Sequence, residues 1–129
     1  MIWYIAIGSA IGGVTRYLLG GWIQRLFGGS FPTGTLVINV TGSFLLGLLL
    51  RYALETPAIS PEVRGFLTIG ICGGYTTFST FSYETLSLLE NTQYLRAGWY
   101  VAASIIVSLL GVFLGSMLAR ELLVLRRGA

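Results

Sequence analysis

The sequence predicts an all-α membrane protein of four transmembrane helices, the third of them broken mid-membrane. Three observations predict it. Of the 129 residues, 54% are hydrophobic and only 10% are charged, whereas soluble domains carry about 25% charged residues. Apolar stretches of spanning length, about 20 residues each, fill nearly the whole chain. Within the third stretch, Gly73-Gly74-Tyr75-Thr76-Thr77 is poor at sustaining a helix. With a mean hydropathy of +0.79, residues 1–129 read as a single four-helix domain with no room for a soluble catalytic or regulatory one.

Helix one is placed at residues 2–26. It lacks a basic N-terminal region, its apolar stretch is long, and Arg16 lies inside it; it therefore reads as a retained span and not a cleaved signal. Gly28-Gly29-Ser30-Phe31-Pro32 closes it and opens helix two, at 33–54. Thr56-Pro57-Ala58-Ile59-Ser60-Pro61 leads to helix three, at 63–89, and Glu90-Asn91-Thr92-Gln93 to helix four, at 97–123. Four spans put both termini on one side of the membrane. That side carries Arg51, Arg64, Arg120, Arg126 and Arg127 against Arg25 and Arg96 opposite, which favours cytoplasmic termini.

Missing residue types narrow the chemistry. There is no His, Asp or Lys, and Cys72 is the lone cysteine. A zinc site, a Ser-His-Asp triad and an intramolecular disulfide are excluded. The net charge of +3 comes entirely from arginine, most of it near helix ends, which fits membrane-surface anchoring and not nucleic-acid binding. Gly8/Gly12, Ser43/Gly47 and Gly111/Gly115 are small-x-x-x-small pairs that let helix backbones approach, within one subunit or between two.

Polar residues recur in register. Thr35, Asn39 and Ser43 share one face of helix two, and Tyr100, Ser104 and Ser108 share one face of helix four. A lone Ser or Thr in a membrane helix commonly bonds its own backbone. Two stripes of three point instead to a wet or hydrogen-bonding track, with interhelical glue as the alternative. Asn39 needs the most partners, since its amide offers two donors and an acceptor.

A break inside a span leaves N–H and C=O groups that lipid cannot satisfy, so protein, water or an ion must supply partners. Carbonyl ends of half-helices suit cations and N–H ends suit anions. Phe78 and Phe81 follow directly, interleaved with Ser79, Thr80 and Ser82. Spacing alone favours ordinary core or lipid packing for the two rings. Their place directly beside the break opens another reading, in which positive ring edges together with hydroxyl and amide donors could replace water around a small anion without a fixed cation to trap it. Arg16, a costly intramembrane charge, fits a water-filled vestibule, with snorkelling as the bland alternative. Glu84, near the end of helix three, fits snorkelling or pairing near the interface at least as well as ion handling. Cys72 is a small apolar filler.

These residues carry a resemblance. Gly-Gly-Tyr-Thr-Thr-Phe-Ser-Thr-Phe-Ser-Tyr-Glu at 73–84 resembles the signature of the Fluc (CrcB) fluoride channels. Residues 32–44, from Pro32 to Phe44, resemble their second-helix motif, and Gly12-Gly13-Val14-Thr15-Arg16-Tyr17 their first. Tyr75 stands where the family pattern has a variable apolar residue. The resemblance implies an antiparallel homodimer of dual topology in the cell membrane. Each of its two pores, lined by both chains, would pass fluoride down its gradient, lowering cytoplasmic fluoride and giving fluoride resistance. For want of any catalytic constellation, an enzyme is not expected. The resemblance also implies a central sodium ion, structural and not transported, on the backbone carbonyls of Gly73 and Thr76; oxygen ligands suit such a hard cation. Carried over by position, Asn39, Phe78 and Phe81 would contact fluoride. Thr35, Tyr100, Ser104 and Ser108 would form the polar track, with Arg16 in the vestibule. The arginine bias counted above is larger than dual topology suggests, so the antiparallel arrangement rests on the resemblance alone.

Two other readings compete. A small four-helix proton-coupled drug exporter depends on a carboxylate in helix one, where this chain has Arg16 instead. A non-conducting scaffold subunit would use the polar stripes only as glue between helices.

Overall fold

The computed structural model describes residues 1–128, and among them every regular element is helical. Helix α1 spans Ile2–Phe27 and α2 spans Thr33–Leu54. The next segment starts as α3 (Pro61–Gly65), widens into π-helical turns over Phe66–Cys72 and finishes as α4 (Gly73–Tyr75). After Thr76-Thr77 the chain resumes as α5 (Phe78–Glu90), and α6 runs over Tyr94–Gly128.

Three of these helices, α1, α2 and α6, are long and apolar enough to cross a membrane. The third predicted span is different in kind. Its halves of 15 and 13 residues, 61–75 and 78–90, rise only about 22 and 20 Å, less than the roughly 30 Å of hydrocarbon. Neither half crosses alone. The fourth predicted helix is also longer than expected, beginning at Tyr94 and continuing to Gly128. Its extra turns have partners: Leu123 is buried, Arg126 donates to the Tyr52 hydroxyl, and Arg127 pairs with Glu55 at 3.6 Å.

Small residues set the packing. A Cβ on Gly12 would lie 2.3 Å from the Ile71 carbonyl oxygen, and one on Gly115 would lie 2.1 Å from that of Phe44. Gly8 meets Gly70 and Gly47 meets Val112 in the same way. The three small-x-x-x-small pairs thus place a glycine at contacts inside the subunit, α1 on the first half of the broken segment and α2 on α6. Met1 covers Gly65, and Arg127 reaches Glu55, so both described chain ends lie at one end of the bundle. At the other end, Ser30, Gln93 and Arg96 tie the α1–α2 loop to the start of α6.

Little is buried inside. Tyr100 and Ile38 are the largest side chains fully enclosed. Exposed faces carry Ile7, Ile11, Val14 and Leu18 on α1, and Ile105, Ile106, Leu109 and Phe113 on α6. Apolar exposure on this scale requires an apolar surrounding.

Candidate permeation site

The break is shorter than the sequence suggests. Gly73 keeps right-handed helical angles (φ −64°, ψ −39°), and only Thr76 (φ −84°, ψ 159°) and Thr77 (φ −153°, ψ 120°) are extended. The expected break over 73–77 is therefore corrected to two residues. The glycines serve packing: a Cβ on Gly74 would meet the Ser9 carbonyl oxygen at 2.6 Å.

Each backbone group of the two extended residues finds a protein partner. The Thr76 N–H donates to the Cys72 carbonyl at 3.0 Å, and the Thr76 carbonyl accepts from the Arg16 guanidinium at 3.2 Å. Asn39 takes both groups of Thr77. Its Oδ1 accepts the Thr77 N–H at 2.8 Å, and its Nδ2 donates to the Thr77 carbonyl at 2.9 Å. The Thr77 hydroxyl then caps α5, accepting the Thr80 N–H at 3.2 Å. Because the Thr77 N–H turns to Asn39, it is diverted from the Gly73 carbonyl, its helical partner four residues back. Gly73 is exposed in the isolated chain. At the break the Gly73 carbonyl has given up its helical N–H, and the Thr76 carbonyl keeps one lone pair beyond its contact with Arg16. Hard monovalent or divalent cations accept such donors. No cluster of three or more His, Cys, Asp or Glu occurs among the described residues.

Beside the break, the polar stripes meet at Glu84. Thr35 donates to Glu84 Oε1 at 2.8 Å and Tyr100 donates to Oε2 at 2.6 Å. The Tyr100 ring packs on Phe81 with centroids 5.2 Å apart, Phe81 packs on Phe78 at 5.5 Å, and Phe31 meets Tyr100 edge-on at 5.7 Å. One turn on from Tyr100, the Ser104 hydroxyl is buried with no partner, and Ser108 follows half-buried on the same face. Phe78 is 79% exposed. Like Trp3 at 79% and Tyr17 at 80%, the ring faces the outside of the chain.

Arg16, Thr35, Thr77, Thr80 and Glu84 line one open cleft of about 610 Å³. Glu84, for which the sequence left interface pairing and ion handling both open, thus joins the site as the acceptor between two stripes. Its signal was present, since Glu84 lies three residues after Phe81 and shares its helix face. Asn39 sits apart from that carboxylate, on Thr77.

Comparison with known proteins gives this geometry a lineage. A model of the family described as CrcB-like protein, Camphor Resistance (CrcB), matches residues 3–116. A protein of Geobacter sulfurreducens named fluoride-specific ion channel FluC is 51% identical over 118 residues, covering 92% of this chain and 95% of that protein. Proteins of the same name from Rhizobium meliloti and Agrobacterium fabrum are 46% and 47% identical, each covering 92% of this chain and 94% of the relative. Matched over nearly its whole length and built on helices that cross a bilayer, the chain is a multi-pass membrane protein that belongs to the CrcB family.

Proposed function

We propose that this chain forms a passive, fluoride-selective channel. The observation that carries the reading is the unbroken sequence of groups from the Arg16 cleft, through Thr35, Glu84 and Tyr100, to the stacked rings of Phe81 and Phe78. The names of its relatives support fluoride as the ion.

The chemistry follows from what lines the route. Fluoride is small and strongly hydrated, so a pore must replace its water with donors. The edges of Phe78 and Phe81, the hydroxyl of Ser104 and the amide of Asn39 supply positive ends without a full charge, so the ion is held weakly enough to leave. Arg16, the one cation lining the cleft among the described residues, is half-buried against the Thr76 carbonyl and raises anion concentration in the cleft.

The open Phe78 face supports a second copy as the wall that completes each route. In this reading the broken segment is a fourth crossing, the subunits are antiparallel with dual topology, and each homodimer has two pores. The Gly73 and Thr76 carbonyls of both subunits would hold a sodium ion, which when bound supplies fixed positive charge to the crossing point and is not transported. In the cell membrane such a channel lets fluoride leave down its gradient, which lowers cytoplasmic fluoride and gives resistance. No covalent step is involved, so the protein is a channel and not an enzyme.

Liposomes containing only this protein, loaded with fluoride or chloride, test the reading. We expect fluoride efflux without a proton gradient or nucleotide, and no chloride efflux. Flux that requires a proton gradient would favour an exporter, although α1 contains no carboxylate. Silence from folded protein in sodium-containing liposomes would leave a scaffold subunit.

A further inference from the structure

A second groove lies away from the permeation route. Met1, Leu46, Leu50, Pro61, Arg64, Gly65, Thr68 and Ile69 enclose about 420 Å³ between the start of α1, the last turns of α2 and the start of the broken segment, within the range of ligand-sized pockets. We propose that this groove binds one anionic phospholipid, its phosphate on Arg64 and part of an acyl chain along Leu46, Leu50 and Ile69.

Position argues first. α1 begins at Ile2 and α3 at Pro61, while Leu50 is four residues from the end of α2, so the mouth opens at the end of the bundle. From Pro61 to Ile69 a helix rises about 12 Å, which carries the groove from headgroup depth into the hydrocarbon. Its walls then change character with depth. Thr68 is the one polar side chain below Arg64, and its hydroxyl is used internally, donating to the Arg64 carbonyl at 2.9 Å. Nothing in the lower groove asks for water.

Charge decides the headgroup. At this end of the bundle Arg51 and Arg127 pair with Glu55, and Arg126 donates to Tyr52. Arg64 and Arg120 have no side-chain partner among the described residues, and of these two only Arg64 lines the groove. Glu62 is two residues from Arg64, and such neighbours do not share a helix face; its carboxyl bonds Ser60 and its own backbone and feels the ammonium of Met1, a second positive group at the groove. A guanidinium left over an apolar slot at the membrane surface matches a phosphate joined to an acyl chain. Basic pockets between membrane helices bind headgroups on this principle, and the fork of Arg suits phosphate oxygens.

Native mass spectrometry of the full chain, taken from vesicles of phosphatidylcholine mixed with phosphatidylglycerol, tests the site. We expect wild type to retain phosphatidylglycerol over phosphatidylcholine. Arg64→Gln should lower that preference about fivefold to tenfold, the scale of one lost charge-assisted contact, while Arg120→Gln keeps it. Ile69→Trp, which fills the slot without touching charge, should lower retention of phosphatidylglycerol as well. An unchanged preference in Arg64→Gln overturns the proposal, and so does an equal loss in Arg120→Gln, which would mean a diffuse surface effect. Displacement by inorganic phosphate would reduce the site to a bare anion contact. Retention only after the subunits are separated would mean that a second copy covers the groove.

Discussion

Asn39 meets the break with both ends of its amide, and that geometry sharpens what its side chain can do. One N–H and the carbonyl oxygen are committed to Thr77, which leaves a single N–H for any ion. Asn39→Asp replaces the donor to the Thr77 carbonyl with a carboxylate oxygen, so two acceptors face each other, and the new charge lacks the hydroxyl donors that Thr35 and Tyr100 give Glu84. An unpaired buried polar group costs about 1–3 kcal/mol, more when charged. We expect fluoride flux to be lost, with a lowered unfolding midpoint in detergent; wild-type flux would remove Asn39 from the route. Phe81→Ile keeps an apolar side chain but removes the ring edge and its stacking with Tyr100 and Phe78. We expect at least about tenfold less flux, the loss of ~1.4 kcal/mol of ion stabilisation, and an unchanged elution profile. The pairing of polar groups across helices was only half visible in the sequence. Periodicity put Thr35 and Tyr100 on inward faces, because period is a property of one helix. Their meeting at Glu84 depends on how α2, α5 and α6 are set against one another, which no single-helix pattern encodes.

At the level of elements, glycine was legible as a signal but ambiguous in meaning. Gly73-Gly74 reads locally as a helix breaker, yet both residues are helical, because the absence of a side chain lets Gly74 touch α1 at Ser9. The break falls two residues later, where Asn39 and Arg16 supply the hydrogen bonds that the helix gives up. The π-helical turns before it, Phe66–Cys72, had no sequence signature at all. The same ambiguity attached to the small-residue pairs, and close approach inside the subunit resolves it. Gly115→Ala puts a methyl 2.1 Å from a backbone oxygen of α2; overpacking of this kind costs about 1–3 kcal/mol. Gly98→Ala has open space around the new methyl and gains up to about 1 kcal/mol of helix propensity. Thermal unfolding in detergent should therefore lower the midpoint for the first and hold or raise it for the second. Equal midpoints would mean that α2 and α6 do not touch along this line.

For the whole molecule, composition carried the furthest. An apolar surface with arginines gathered at helix ends dictated a membrane protein before any motif was read, because soluble packing has no use for it. Assembly was not legible in that way. Arg51, Arg64, Arg120, Arg126 and Arg127 give one end of the bundle an excess of arginine, which argues for one orientation, whereas the proposed antiparallel dimer needs both. If sodium on Gly73 and Thr76 joins two antiparallel copies, replacing it with a large organic cation should speed subunit exchange between differently labelled dimers. Exchange that is indifferent to the cation would remove the ion from the interface.

Current across a planar bilayer containing this protein alone bears most directly on the central claim of passive fluoride permeation. Under a fluoride gradient with equal pH on both sides, the account predicts current that reverses at the fluoride equilibrium potential and stays there when a pH gradient is added. A reversal that follows the proton or chloride gradient, or no current from folded protein in sodium, would contradict it.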